Sequence, residues 1–266
     1  MVEWAAREGW NPGLADATAF RAADPEGFLG AFRGAEMQAC ISAVRFGADR
    51  GFIGFYIARP EARGQGIGWR VWQAGMARLA GRCVGLDGVV AQQANYRKSG
   101  FALAWNNARY QSADPVIAPA DTRGILDAGA VAFDALSAFD AEHAGGPRPD
   151  FLRAWIATPG HRARVALDPA GAIAGFAVLR PCRAGSKLGP LFARDAATAR
   201  ALIADAAPHR APGPLILDLP EPNAEAVAIA RAMGMEKVFE TARMYTASPP
   251  PMRREGIFAL ASFELG

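Results

Sequence analysis

The chain has 266 residues, enough for one large domain or two ordinary ones, and 51% of them are hydrophobic, so a buried core can form. The 29 Lys and Arg residues exceed the 26 Asp and Glu residues so little that the net charge of +3 predicts no nucleic-acid or membrane partner. No apolar run reaches the roughly 18 residues of a membrane helix, and the first residues lack the regions of a secretory signal, so we expect a cytoplasmic protein.

The cysteines and histidines predict no metal site. Cys40, Cys83 and Cys182 are odd in number and far apart, which argues against both a disulfide framework and a thiolate site. The three histidines lack the spacing that places two imidazoles on one face of a helix. We therefore expect chemistry without a bound metal.

The first half of the chain predicts a β-hairpin followed by a helix. Apolar runs of strand length cover residues 39–46 and 51–58, and the residues between them, 47–50, suit a turn. After a glycine-rich turn, apolar residues recur at helical spacing from Ile67, and a further strand is expected at residues 84–86.

A similar order of elements follows a segment with two prolines and two acids, residues 114–121. We expect this segment to be a linker between a domain of residues 1–113 and a domain of residues 122–266. The second domain is predicted to contain strands at 162–167, 173–179, 188–193 and 215–219, and helices at 196–207 and 224–233. The fold class is α/β with a mixed sheet.

Two short matches indicate that the halves arose by duplication. Residues 100–109 begin with Gly and end with Ala-Arg, as residues 234–243 do at an offset of 134. Residues 57–60 fall on residues 192–195 at an offset of 135. Nearly equal offsets for two separate segments favour an internal repeat over chance.

The most informative stretch runs from Tyr56 to Gly68, where a strand breaks at Pro60 and three alternating glycines lead into a helix. Backbone N–H groups of such a turn can converge on phosphate oxygens, and the positive end of the helix points to the same place. Other nucleotide motifs do not fit. The dinucleotide fingerprint needs glycine where Trp69 stands, a P-loop needs Lys followed by Ser or Thr, and a methyltransferase loop favours an acid at Ala62.

Two motifs together resemble the GNAT (GCN5-related N-acetyltransferase) superfamily. The segment Arg63-Gly64-Gln65-Gly66-Ile67-Gly68 is similar to the family's pyrophosphate loop, Q/R-x-x-G-x-G/A. About 30 residues later, Asn95-Tyr96-Arg97-Lys98-Ser99-Gly100-Phe101 is similar to its Y-x-K-x-G-F segment. The second half resembles the degenerate C-terminal domain of a two-domain branch of the same superfamily.

The resemblance implies acetyl-CoA as cosubstrate. Backbone groups of Ile57, Ala58 and Arg59 would hold the pantetheine arm, and the residues that would hold the pyrophosphate are Arg63, Gly64, Gln65, Gly66, Ile67 and Gly68. A substrate amine would attack the thioester directly, so no side-chain nucleophile is required. Tyr96 would be the general acid that protonates the leaving CoA thiolate, with a merely packed tyrosine as the alternative.

The general base is less clearly marked. Asp87, after the strand 84–86, is the first candidate, although an Asp before Gly often forms a turn. Glu36 and Asp49 are weaker candidates, and a water relay would leave no signature. The stretch between Asp87 and Tyr96 is short for the family's helix, so we expect a different wall of the cofactor groove.

We therefore expect an N-acetyltransferase of two tandem GNAT-like domains that acts on a small-molecule amine, as a monomer or homodimer. The first domain would bind acetyl-CoA and the second would shape the acceptor pocket. The repeat places Ala199, Ala201 and Ile203 on the three loop glycines and Ala230 on Tyr96, so we expect no CoA site in the second domain. The alternatives are a non-catalytic acyl-CoA or metabolite-binding module and an AdoMet-dependent methyltransferase.

Overall fold

The computed structural model describes residues 1–266, and a single mixed sheet of twelve strands runs through the whole molecule. Helices cover the sheet, which confirms the α/β class expected from the sequence. None of the helices is both long and apolar enough to span a lipid bilayer.

The first half contains four helices and five strands. They are α1 (Val2–Arg7), α2 (Asp16–Ala23), β1 (Phe28–Arg33), β2 (Glu36–Phe46), β3 (Arg50–Ala58), α3 (Ile67–Arg78), β4 (Cys83–Val89), α4 (Gln93–Lys98) and β5 (Ala102–Ser112). The predicted hairpin is present as antiparallel β2 and β3, with Gly47 at a φ of 62° in its turn. The helix predicted from Ile67 is α3.

The second half contains four helices and seven strands. They are β6 (Ile125–Asp127), α5 (Phe133–Ala144), α6 (Pro149–Ala157), β7 (Arg162–Leu167), β8 (Ile173–Pro181), β9 (Ser186–Ala193), α7 (Ala196–Ala206), β10 (Leu215–Pro220), α8 (Ala224–Ala232), β11 (Glu236–Tyr245) and β12 (Ile257–Ala259). Every strand and helix predicted here is found within two residues of its expected ends. Residues 113–124 form no helix or strand, so the predicted linker falls in irregular chain, while the domain boundaries stay a prediction.

The two halves exchange a central strand, which the sequence did not predict. The strand order is β1-β2-β3-β4-β11-β5-β10-β9-β8-β7-β6, with β12 beside β9. Strand β11 of the second half therefore pairs with β4, and β5 of the first half pairs with β10. Both exchanged strands are antiparallel to their neighbours and to each other.

Two buried ion pairs join the halves at this exchange. Arg243 on β11 lies opposite Asp87 on β4, and Arg109 on β5 lies opposite Asp218 on β10. The closest nitrogen–oxygen distance is 2.6 Å in each pair. The two arginines are the ones that the internal repeat aligns, and each is paired with an aspartate of the other half. Breaking a buried ion pair leaves an uncompensated charge, which is strongly destabilising.

The halves also share a hydrophobic core. Phe20 and Phe55 of the first half pack in one cluster with Trp155 and Phe176 of the second. The rings of Phe20 and Trp155 stack with centroids 6.0 Å apart. Each half therefore buries part of its apolar surface against the other.

Candidate active site

A cleft opens where two neighbouring parallel strands separate. Strands β3 and β4 are paired from Arg50 and Cys83 as far as Ile53 and Leu86, and beyond these residues each continues without the other. The cleft has a volume of about 410 Å³ and is lined by residues from the ends of β3 and β4, from α4, from β11 and from both chain termini.

A bulge in β3 directs side chains into this cleft. Cys40 lies opposite Ile57 and Ser42 opposite Gly54, so β3 has one residue more than β2 between these points. Phe55 adopts a φ of 46°, which is uncommon for a residue with a side chain, and its ring is buried in the core. Bulges re-aim the residues that follow them, and Ile57 lines the cleft.

The glycine-rich loop lies between β3 and α3. Gly64 and Gly66 have φ values of 76° and 74°, which residues with side chains rarely adopt. Gly66 is the N-cap of α3 and provides no side-chain cap. The backbone N–H groups of residues 64–69 make no hydrogen bond within the chain. Because they lie at the positive end of a twelve-residue helix, this loop fits a pyrophosphate group.

Arg63 fixes the entrance to the loop. Its Nε donates to the backbone oxygen of Ala58 at 3.0 Å, and its Nη2 donates to Glu8 Oε1 at 2.8 Å. The guanidinium group is half-exposed and lines the cleft. It therefore holds the end of β3 against the loop and lies beside the place where the resemblance puts a bound anion.

Arg59 and Gln65 lie on the outer side of the loop. Arg59 forms ion pairs with Glu36 at 3.4 Å and Glu61 at 3.5 Å. Gln65 Nε2 donates to the backbone oxygen of Glu61 at 2.6 Å. Neither residue lines the cleft, so their contacts shape the loop from outside, and the predicted role of Arg59 rests on its backbone.

Tyr96 lines the cleft opposite the end of β3. It belongs to α4, which has only six residues, as the short stretch after β4 predicts. Its ring packs on Gly88 and lies 5.5 Å from the ring of Trp72, centroid to centroid. The hydroxyl group makes no hydrogen bond within the chain, and burial of the ring raises the pKa of Tyr96 to about 12. A neutral phenol donor is thus available in the cleft.

Tyr56 is a second tyrosine in the cleft, and sequence analysis did not select it. Its ring centroid lies 5.2 Å from that of Trp72, on which Tyr96 also packs. Its hydroxyl is next to Gly68, 3.2 Å from the position that a Cβ atom would take there. Burial raises the pKa of Tyr56 as well. A side chain at residue 68 would crowd this hydroxyl, which explains the third glycine.

Asp87 has a different environment from the one expected of a general base. Its Oδ1 accepts hydrogen bonds from Arg243 Nε at 2.8 Å and Asn107 Nδ2 at 2.7 Å, and its Oδ2 accepts one from Arg243 Nη2 at 2.6 Å. Strand β4 continues to Val89, so Asp87 lies within a strand instead of a turn. With both oxygens occupied and the side chain fully buried, the geometry favours a structural role for Asp87.

The far wall of the cleft comes from the second half of the chain. Phe239 and Thr241 of the exchanged strand β11 line it, together with Phe263 and Glu264 near the C-terminus. Glu264 is only 3% exposed, its side chain makes no hydrogen bond, and burial raises its pKa. No local pattern in the last residues marks this side chain, so sequence analysis missed it.

The two weaker candidates for the general base, Glu36 and Asp49, are exposed and lie outside the cleft.

The second half has no loop like that of the first. Ala199, Ala201 and Ile203, which the repeat places on the loop glycines, are buried within α7. The first turn of α7 is capped by Asp195, whose carboxylate accepts from the Thr198 N–H at 2.8 Å. Ala230, which the repeat places on Tyr96, is buried in α8.

No group of three or more His, Cys, Asp or Glu side chains in the molecule is placed to hold a metal ion.

Comparisons with known proteins agree with this architecture. The model of the Acetyltransferase (GNAT) family matches residues 2–101, and the model of an Acetyltransferase (GNAT) domain matches residues 136–259. A holothin acyltransferase from Pseudoalteromonas sp. (strain SANK 73390) is 32% identical over 267 aligned residues, which cover 99% of this chain and 90% of that protein.

Two solved structures share the fold at low sequence identity. A proposed acetyltransferase from Pyrococcus horikoshii has a TM-score of 0.81 at 18% identity, covering 95% of this chain and 84% of its own. A tandem GNAT protein from the clavulanic acid biosynthesis pathway has a TM-score of 0.59 at 15% identity, with coverages of 88% and 87%. The chain therefore belongs to the GNAT family, as an acyltransferase with two GNAT domains in tandem.

Proposed function

We propose that the protein is an N-acetyltransferase that moves the acetyl group of acetyl-CoA to the amine of a small molecule, by direct attack in the cleft of the first half. The observation that carries the proposal is the row of unbonded N–H groups at residues 64–69, which leads to a cleft containing a free tyrosine hydroxyl. Acyl-CoA thioesters supply the activated acyl group, and GNAT enzymes use them as cosubstrates.

The loop and the end of β3 would bind different parts of acetyl-CoA. The N–H groups of residues 64–69 and the cationic Arg63 fit the pyrophosphate. The unpaired edge of β3 from Gly54 to Ala58 offers backbone groups to a pantetheine arm. A backbone N–H near Ile57 or Ala58 would polarise the thioester carbonyl, because a preorganised donor stabilises the charge that develops on oxygen during acyl transfer.

Tyr96 would act on the leaving sulfur. A thiol has an ordinary pKa of about 8.5. The pKa of Tyr96 is about 12, so complete transfer of its proton to a thiolate is unfavourable. We propose that Tyr96 stabilises the departing thiolate mainly by donating a hydrogen bond, and that solvent supplies the final proton.

The acceptor would bind against the far wall of the cleft. Phe239 and Phe263 make this wall largely aromatic, Trp10 of the first half also lines the cleft, and Glu264 adds one buried carboxylate. These features suit a small, partly apolar molecule with an amino group. Because the curated relative is named for acyl transfer to holothin, holothin is the first acceptor to test.

We also propose a cytoplasmic location, which the three unpaired cysteines support.

The direct test measures thiol release from acetyl-CoA with holothin and with a panel of small primary amines. We expect release that depends on the acceptor, together with a higher melting temperature when CoA is added. A protein that is stabilised by CoA but releases no thiol with any amine would be a non-catalytic acyl-CoA-binding module. A protein that CoA does not stabilise would contradict the assignment of the loop.

A further inference from the structure

Glu264 is held at the point where β3 and β4 separate. Its backbone oxygen packs directly on Gly54, so closely that a Cβ atom at residue 54 could not fit. Gly54 follows Ile53, the last residue of β3 that is paired with β4. The C-terminal segment is therefore packed against the base of the cleft, and Glu264 is one of the residues that line it.

The carboxylate has no partner that would explain its burial. Its Oε2 atom is buried without a hydrogen bond, and no cation lies within ion-pair distance of the group. The charged groups that face it are Lys187 and Arg109, which favour its ionised form, and Asp16 and Asp218, which oppose it. Lys187 and Arg109 are themselves paired with Asp218. An unpaired buried carboxylate costs stability, so its presence in a cleft points to a ligand.

We infer that Glu264 is the general base of the reaction, so that the second domain completes the active site of the first. This inference rests on the proposed acetyl transfer. As the amine nitrogen attacks the thioester carbon and the C–N bond forms, the Glu264 carboxylate takes one proton from the nitrogen. The C–S bond then breaks, its electron pair leaves with the sulfur, and the products are the amide, CoA and a protonated Glu264 that loses its proton to solvent.

The surroundings of Glu264 suit this task better than those of Asp87. Both acids line the cleft, but Asp87 uses both oxygens in hydrogen bonds to Arg243 and Asn107. Desolvation raises the pKa of both acids, but only Glu264 keeps a carboxylate oxygen without a hydrogen-bond donor. Glu264 therefore combines a position in the lining of the cleft with an open acceptor.

The test compares Glu264→Gln with Glu255→Gln, using acetyl-CoA and the amine that wild type acetylates fastest, beginning with holothin. Glutamine keeps the shape of the side chain and removes its basicity. Glu255 is a matched control because it lies in the same C-terminal segment with a 76% exposed side chain outside the cleft. We expect Glu264→Gln to lower kcat by on the order of 10²- to 10³-fold while CoA affinity stays within a few-fold. Glu255→Gln should behave as wild type.

Two further measurements separate a base from a packing residue. Glu264→Asp should retain more activity than Glu264→Gln, and added formate should partly restore a Glu264→Ala variant, since both supply a carboxylate. Full turnover of folded Glu264→Gln, with wild type active, would overturn the inference and leave the proposed function intact. If wild type releases no thiol with any amine, the proposed function fails first and the role of Glu264 fails with it.

Discussion

Helices α3 and α7 begin at equivalent places in the two halves, yet only the N-terminus of α3 is open to a ligand. Strand β3 ends at Ala58 and β9 at Ala193, which the internal repeat aligns. Eight residues, 59–66, separate β3 from α3, whereas only two, 194–195, separate β9 from α7. The N-terminus of α3 presents free N–H groups in a loop with two glycines of positive φ. The N-terminus of α7 is capped by the side chain of Asp195.

The difference is the one expected of a duplicated fold that keeps its packing in both halves and an anion site in only one. In the first half the N–H groups at the start of the helix have no partner within the chain, which costs stability in the free protein and would be offset by a bound anion. In the second half a carboxylate of the chain takes the anion's place. The comparison predicts one CoA site per molecule, and the following experiments are ways to break or sharpen it.

The largest effect is expected for Gly66→Val. Valine strongly disfavours a φ of 74°, so the loop must change shape and its N–H groups can no longer converge. Losing two hydrogen bonds to a charged group weakens CoA binding by about 10³-fold. The matched control is Gly171→Val, at a φ of 82° in the β7–β8 turn, which imposes similar strain far from the cleft. Calorimetry on both variants measures the effect, and unchanged CoA affinity in folded Gly66→Val would refute the loop assignment.

The next largest effect concerns Tyr96, whose counterpart in the repeat is Ala230. Tyr96→Phe keeps the ring that packs on Gly88 and Trp72 and removes only the hydroxyl. We expect kcat to fall by on the order of 10²-fold, with CoA affinity within a few-fold. Tyr110→Phe, in the core beside β10, is the control and should keep full activity. Single-turnover measurements decide the matter, because full turnover by Tyr96→Phe would make this residue a packing group only.

A smaller effect is expected when the cap of α7 is removed. Asp195→Ala deletes the acceptor of the Thr198 N–H and should lower the free energy of unfolding by about 1 kcal/mol. It should not create a second CoA site, since the chain before α7 is too short to curl around a phosphate. Titration calorimetry should give one CoA per molecule for wild type and variant alike. A stoichiometry near two in either protein would break the comparison.

Local signals in the sequence predicted the elements that carry the loop. Turn residues at 47–50 and 168–171 separate alternating apolar runs, and these features depend only on neighbouring residues. The repeat also aligned Arg109 and Arg243, and in the structure each forms a buried ion pair with an aspartate of a neighbouring strand. Their partners could have been found from the Leu-Asp dipeptides at residues 86–87 and 217–218, which occupy equivalent strands of the two halves.

Local sequence signals could not predict the strand exchange or the place of Glu264, the proposed general base. Strands β5 and β11 share only the Ala-Arg pair of the repeat, and propensity and period do not decide which of them pairs with β4 or β10. The choice depends on how the whole chain packs. Glu264 reaches the cleft only because the C-terminal segment crosses Gly54, a contact between residues 210 positions apart in the sequence. No period or motif encodes such a contact.

The smallest effect is expected on the pH dependence of stability, in which Glu264 and Asp218, two buried acids of the second half, should differ. Asp218 loses hydration on burial, but Arg109 and Lys187 outweigh this and hold its pKa at about 2, whereas burial raises the pKa of unpaired Glu264. A raised pKa means that ionisation of Glu264 opposes folding. The contribution of Glu264 to stability should therefore fall as the pH rises above the ordinary glutamate value of about 4.3. Glu264→Gln removes this loss.

We expect the melting temperature of Glu264→Gln to match that of wild type near pH 4 and to exceed it at pH 8. Calorimetric scans at both pH values measure the difference. Asp218→Asn is the opposing control, because it leaves Arg109 unpaired and should destabilise the protein at pH 8. A Glu264→Gln variant that is less stable than wild type at pH 8 would show that the carboxylate holds the C-terminal segment in place. A more stable but inactive variant is the combination expected of a residue retained for chemistry at the expense of folding.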